Sequence, residues 1–452
     1  MAGIISLVIL LIVIGCGVFQ FLKGTFVRAL ATIIVAICAL IVAFGFFEGL
    51  SSIIISRADK GIFLKLANIA QPFCFVLLFV IVFAALEAAT IYLTRDKVDL
   101  GLWPERIGRV VCGMILGFIL SGVLVTTLAM APLPSKYPYE RFDSASPKPD
   151  SPGKVPLNAD GFITGLFKTI SNGSLGGKRS FASLHPDYIS QLFLNRLNKD
   201  VSIVTSNSPA ISIPNENAVW PAPDAIKTQI DELNSSGQLS KSPGKPSGSY
   251  VPMIVRVGIK KAAVKGESKI SAGTFTSSQL RLICKINSEL EDPLSGSAIN
   301  VYPVGHFSSR DRIEVTTEIK LDSNSFGSGT SRDIDFVFCV PSGYTPIMVQ
   351  LKLNNIAQIR ADAILKEASQ APSPATYSSQ NPGAGGGNRG GMPDGGNYNN
   401  GQGMRGRGGT GRGSGNGSNL NPGGQGDFQG TENLPGNTPQ DIAENLVEPI
   451  MP

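Results

Sequence analysis

The chain has 452 residues, a formal net charge of +5 and 43% hydrophobic residues. Charge this thinly spread excludes a strongly basic nucleic-acid surface. With only two histidines, His185 and His306, multi-histidine metal sites and most histidine-based catalysis are excluded as well. Composition divides the chain: residues 1–131 hold 9 Lys/Arg and 6 Asp/Glu, and the remainder holds 30 and 28. The first part is an apolar membrane unit and the rest is water-soluble.

Four apolar segments, roughly 3–22, 29–47, 73–94 and 110–131, each approach the ~20 residues that a helix needs to cross a bilayer. Lipid offers the backbone no partners, so each is predicted to be a helix. The first lacks the basic start of a signal peptide, its first lysine being Lys23, and reads as a retained span. The short Lys23–Arg28 connection makes spans 1 and 2 a tight hairpin. Connection 2, about 48–72, mixes Arg57, Asp59, Lys60 and Lys65 with Ile53, Ile54, Ile55, Ile62 and Phe63, the pattern of short amphipathic pieces lying in the interface. Connection 3, residues 95–109, is charged, with Trp103 as an interfacial anchor.

Within span 4, Gly113, Gly117 and Ser121 recur at steps of four. This small-residue stripe permits close helix approach, either inside one bundle or between two copies of the chain. Ala36, Ala39 and Ala43 form a similar face in span 2. Glu87 is the one acid well inside a span, a costly placement that points to a polar contact in the bundle or to a functional role.

From Ile4 to about Pro132 the chain resembles the colicin V production protein (CvpA) family. The features carrying the resemblance are the four spans, the turn from Lys23-Gly24 to Arg28 after a glycine-bearing first helix (Gly15, Gly17), and a charged third connection leading through Arg106-Ile107-Gly108 to Gly113 and Gly117. The resemblance covers under a third of the chain. It implies an integral protein of the bacterial inner membrane, linked to toxin production or export and to envelope homeostasis. It brings no catalytic residues.

Residues 132–156, with seven prolines, read as a semi-extended linker that holds the next domain off the bilayer. Residues 157–248 are expected to form a helical segment with a polar insertion. Phe162, Ile163, Leu166, Phe167 and Ile170 mark one apolar stripe, and Ile189, Leu192, Phe193 and Leu197, following Pro186-Asp187, mark another. Residues 205–248 are rich in Ser, Pro and Asn, with one helix near 224–234. From about 249 to 357, within a domain expected over 249–370, the period changes to two, with candidate strands at 250–259, 279–287, 299–304, 312–321, 333–340 and 345–353. Strands at this spacing predict a β-sandwich. Cys284 shares a face with Leu280, Leu282 and Ile286. Cys339 lies with Val337 and Asp335, opposite Ile334, Phe336, Phe338 and Val340. The two thiols should therefore point to different sides and stay unbridged. Residues 371–452 read as a disordered tail: residues 381–430 alone contain 21 of the 51 glycines. Its few Arg-Gly runs fit a hydrated tail better than an RNA contact.

The fold class is thus a four-span α-helical bundle, then a soluble α+β region dominated by an antiparallel β-sandwich, then a glycine-rich tail. Ser174, in Asn172-Gly173-Ser174, precedes both histidines, against the order of a trypsin-like triad. No phosphate-binding loop or zinc spacing is present. No catalytic residue, cofactor or metal is assigned. The leading expectation is a non-enzymatic scaffold whose partners are the lipid bilayer, envelope proteins and a second copy of the chain, without nucleic acid. The alternatives are a membrane-tethered binding or adhesion module and a small channel or transporter using Glu87. Orientation follows positive charge: connections 1 and 3 carry six Lys/Arg, against three in connection 2 plus Lys136 and Arg141 beyond span 4. Both termini and the β-domain are accordingly expected outside the cytoplasm.

Overall fold

The computed structural model describes residues 2–57, 66–93, 101–143, 147–148, 151–173, 180–197, 204, 209–261, 272–315, 318–322 and 324–377. The glycine-rich stretch expected to be disordered lies outside these residues. Four long apolar helices open the chain: α1 (Ala2–Lys23), α2 (Phe26–Ser56), α3 (Ala70–Leu93) and α4 (Leu102–Met130). All four are long and apolar enough to cross a membrane, and the chain is a multi-pass membrane protein. α1 pairs with α4 and α2 with α3, and α2 joins the two pairs by packing on α4. Ala36, Ala39 and Ala43 are fully buried on α2, as their spacing predicts.

α2 departs from expectation. Ile53–Ile55 do not begin an in-plane piece but continue the helix to Ser56. The reason is burial: over this extra length Ser51 and Ile55 face other parts of the protein, and Glu48 lies 2.9 Å from His185 of the cap. Most of connection 2 (58–65) and the start of connection 3 (94–100) lie outside the described residues.

Beyond α4 three short helices form a cap: α5 (Ala159–Asn172), α6 (Phe181–Leu184) and α7 (Tyr188–Asn195). The Asp187 side chain starts α7 by accepting the Ser190 N–H, satisfying one of the donors left open at a helix N-terminus. The proline-rich connection is not a free spacer. Tyr139, Arg141, Phe142 and Val155 are buried, and the Gly153 N–H donates to the Arg141 carbonyl.

The β-region is a sandwich. One sheet has the order β1 (Ile211–Ser212), β3 (Tyr250–Lys260), β10 (Ser331–Pro341), β7 (Pro303–Ser309) and β8 (Arg312–Glu314), with β2 (Val219–Pro221) also on β3. The second sheet has the order β12 (Asn355–Gln358), β11 (Tyr344–Leu351), β5 (Leu280–Ile286) and β6 (Ile299–Val301). β4 (Ala272–Thr276) and β9 (Glu318–Asp322) form a separate ribbon, so the single strand expected over 312–321 is two strands in two different sheets. All these strand pairs are antiparallel.

Alternation sorts side chains as the sequence predicts. Leu280, Leu282 and Cys284 meet Ile334, Phe336, Phe338 and Val340 in the core between the sheets. Val337 and Cys339 face the opposite way, against α8 (Asp224–Ser235) through Ile226 and Ile230. Both cysteines are free. Ile286 departs from its expected inward set, standing exposed at the strand end. The tail begins later than its composition suggests. Residues 371–377 run along the first sheet, where Tyr377 is buried, its N–H donating to the Phe307 carbonyl and its hydroxyl to that of Lys320.

Candidate functional site at the bundle–sandwich junction

The second sheet has two covered faces. Its inner face fills the sandwich. Its outer face, with Ile283, Ile347 and Met348, packs with Leu184 of α6. A sandwich strand with one wet face would expose Arg281 and Lys285, yet both are buried. Arg281 is covered by the cap, its Nη2 donating to the Leu184 carbonyl, and Lys285 donates to the carbonyls of Asp292 and Ser295 in the turn after β5; the cap in turn rests on the spans. Phe44 of α2 is the hub of that contact. Its ring centroid lies 4.8 Å from those of Phe75 and Phe167, 5.4 Å from Phe181 and 6.4 Å from Tyr188. One apolar core therefore runs from the spans through the cap to Tyr302 and Leu353 of the sandwich region.

Three buried arginines are fixed at this junction. Arg196 follows α7, and its Nη1 donates to the carbonyls of Leu128 (3.1 Å) and Ala129 (2.9 Å). These belong to the last turn of α4, where helix carbonyls lack intrahelical partners and the dipole favours a cation. Nη2 donates to the carbonyls of Pro134 (3.0 Å) and Tyr137, and the guanidinium lies 5.0 Å over the Phe193 ring. Burial pulls the Arg196 pKa down to about 10, which leaves it charged at neutral pH. Arg141 joins the linker to the cap: its Nη1 donates to the Tyr139 hydroxyl at 3.0 Å, and its Nε and Nη2 donate to Ser190 Oγ. The Tyr139 hydroxyl donates to Asp160 Oδ2 on α5.

Arg281 anchors the third group, on β5. Its Nε donates to Gln350 Oε1 at 2.6 Å, its Nη2 to the Leu184 carbonyl at 2.6 Å and its Nη1 to Asn300 Oδ1. Burial lowers its pKa to about 10. Gln191 Nε2 donates to the same Gln350 oxygen at 2.6 Å, and Gln191 Oε1 lies 2.9 Å from His185 Nδ1. His185 Nε2 is 2.9 Å from Glu48 Oε1 on α2, an ion-pair distance that lies off the ring N–H direction. A chain of polar side chains thus runs from a membrane-spanning helix, through the cap, to the second sheet.

The residues singled out in the sequence take different places. Gly113 and Gly117 pack against α1: a Cβ added at Gly113 would stand 2.7 Å from the Cys16 carbonyl oxygen, and one at Gly117 would stand 2.7 Å from Val13 Cα. Ser121 is buried and donates to the Gly117 carbonyl. The stripe is filled by the chain's own first helix. Glu87 sits at the other end of the bundle, with Arg28 Nη2 at 3.5 Å and the Thr32 hydroxyl donating to it at 3.2 Å. At the same end Glu105 accepts the Phe26 N–H at 3.0 Å, compensating the start of α2, and pairs with Arg109. Among the described residues no three His, Cys, Asp or Glu side chains are grouped to hold a metal ion.

The sequence reading missed Glu48, Gln191, Arg196, Arg281 and Gln350. Two signals pointed to them: the apolar stripes of α5 and α7, which need a surface to cover, and the charged residues that interrupt β5. Comparison with protein-family models, with curated proteins and with solved structures returned no match.

Proposed function

We propose that this chain is a CvpA-like scaffold of the bacterial inner membrane, serving toxin production or export and envelope homeostasis without catalysis of its own. The observation that carries this reading is the junction. The sandwich is not a module on a string: it is locked to α2 and α4 through buried aromatic rings and three buried arginines. Such a unit presents a fixed surface beside the membrane, which is what assembling other proteins requires. A channel through Glu87 is less well supported, because that carboxylate is held by Arg28 and Thr32. In this proposal both termini and the sandwich lie outside the cytoplasm, where envelope proteins meet them.

Two measurements test the reading. Alkaline phosphatase fused after residue 380, beyond the packed Tyr377, should be active, and green fluorescent protein at the same point should be dark; the reverse pair places the sandwich in the cytoplasm. In a toxin-producing bacterium deleted for its own CvpA protein, the full chain should restore toxin release. A version ending at residue 131 that still inserts should not. Failure of the full chain, with insertion verified, removes the scaffold reading.

A further inference from the structure

α5 packs on α4 well short of its end. A Cβ added at Gly122 would stand 2.3 Å from Ile163 Cγ1 and 2.5 Å from the Ala159 carbonyl oxygen, so glycine there lets the two helices touch. One turn earlier, the Phe118 ring lies 5.1 Å from that of Phe162. Farther along α5, Phe167 stacks on Phe44 of α2.

Helix rise converts these contacts into depth. Phe118 is fifteen residues after Trp103, the interfacial anchor at the opposite end of α4. At 1.5 Å per residue that is ~22 Å, short of the ~30 Å of hydrocarbon. If the upper boundary is instead drawn below Arg109, the last charged residue of α4, Phe118 moves still closer to the bilayer centre. Either boundary leaves Phe162 beside acyl chains. Counted from the Phe26–Glu105 contact, eighteen residues along α2 bring Phe44, the partner of Phe167, to about the level of Val123; Ala159 and Ile163 touch α4 at Gly122, so the α5 backbone from Ala159 to Phe167 crosses the spans at a near-constant depth.

The outer face of α5 suits that position. Phe162 is 45% exposed and Leu157, just before the helix, is 78% exposed. The Phe162 value matches those of Val111 (43%) and Ile115 (45%) on the bare side of α4, and Leu157 is barer still. The helix's own acid is turned inward, where Asp160 meets the Tyr139 hydroxyl. An in-plane amphipathic helix buries its apolar side several ångströms below the headgroups.

We propose that α5 is an in-plane membrane helix whose Leu157–Phe162 face contacts the acyl chains of the leaflet on the sandwich side. The cap is then seated in the lipid, and the sandwich rests at the headgroups. This inference rests on the spans and on the α4–α5 contact, and it holds whether or not the scaffold reading does.

The test uses the full chain in phosphatidylcholine nanodiscs, without native cysteines, carrying the fluorophore NBD on one introduced cysteine. Phe162→Cys is the probe site, Val111→Cys the span control and Lys227→Cys, on exposed α8, the aqueous control. Lipid brominated on its acyl chains should quench NBD at 162 at least twofold, as at 111, and leave NBD at 227 unchanged. Quenching at 111 with none at 162 overturns the proposal. Loss of quenching at 111 would report failed insertion, and the experiment is then repeated with Phe162→Trp in a Trp103→Phe, Trp220→Phe chain, where unquenched indole emission at 162 overturns the proposal equally.

Discussion

The two ends of the bundle use arginine against oxygen under different solvation. At the Lys23 end, Arg28 and Glu87 meet with side chains 44% and 22% exposed. At the Met130 end, Arg196, Arg141 and Arg281 are all buried, and most of their acceptors are backbone carbonyls or neutral side chains. Arg28 stands in the first turn of α2, at the edge of the span, where headgroup water reaches the pair and such a contact contributes little. A buried cation costs much to desolvate, and removing it leaves carbonyls stranded. Similar chemistry thus closes a helix hairpin at one end and sets the position of a whole domain at the other.

The sharpest break of that contrast is Arg196→Ala. It should cost about 3 kcal/mol or more, since the carbonyls of Leu128 and Ala129 lose their donor in a dry site. Thermal unfolding of the detergent-solubilised chain, with limited proteolysis between α4 and α5, reads it. Arg196→Lys should recover only part, because a single ammonium cannot span four carbonyls. An Arg196→Ala protein as stable and as protease-resistant as the parent would show that the cap is held without this arginine.

Gly117→Leu comes next. Its Cβ would stand 2.7 Å from Val13 Cα, and overpacking of this kind costs about 1–3 kcal/mol. The expected result is a lower melting temperature with unchanged mass in solution, because the stripe packs within one chain. A fall in oligomer mass would assign it to contacts between copies.

A smaller, pH-dependent effect belongs to the sandwich alone. Burial holds the His306 pKa below its ordinary value, against the pull of Glu314 and of the Tyr377 carbonyl 3.1 Å from Nε2. The unfolded chain takes up a proton near pH ~6.5 that the folded chain refuses. Stability should therefore be full above that pH and fall as pH drops through it. Burial raises the Asp335 pKa and acts in the opposite sense, in a more acidic range. Urea titrations followed by emission of the buried Trp220 at pH 7.5 and 5.5 should show the loss, and His306→Gln should flatten it.

The smallest effect is expected at Glu87→Gln, about 0.5 kcal/mol: its partners Arg28 and Thr32 lie in the first two turns of α2, at the edge of the span, and the amide can still accept from Thr32. Ion or proton flux into liposomes should be the same for parent and variant. Flux present in the parent and lost in the variant would make Glu87 a functional site.

Much of this fold is legible in the sequence, because its signals are local. Long apolar runs mark the spans, and two-residue alternation marks β3, β5, β10 and β11 and separates Cys284 from Cys339. The strands that escaped entirely, β1, β2, β4 and β12, are two to five residues long, too short for a period to register; the strand expected over 299–304 joined β6 to the first two residues of β7 (Pro303–Ser309), although the two lie in different sheets. The junction escaped for a different reason. Strand parity turns Arg281 outward correctly, but parity cannot say whether the outside is water or another layer of protein. Nor can proline content tell a free spacer from segments such as 137–143 and 151–156, fastened down through Arg141 and Tyr139.

The central claim is that the cap is fixed to the spans. Its direct test is crosslinking in intact membranes between Phe118→Cys on α4 and Phe162→Cys on α5, whose native rings are 5.1 Å apart. A protease site introduced at residues 144–146 separates the two partners after reaction with a short bis-maleimide. The account predicts that both fragments migrate as one species in the double variant and as two in either single variant. Fragments that separate in the double variant, with both thiols shown to be reactive, would contradict it.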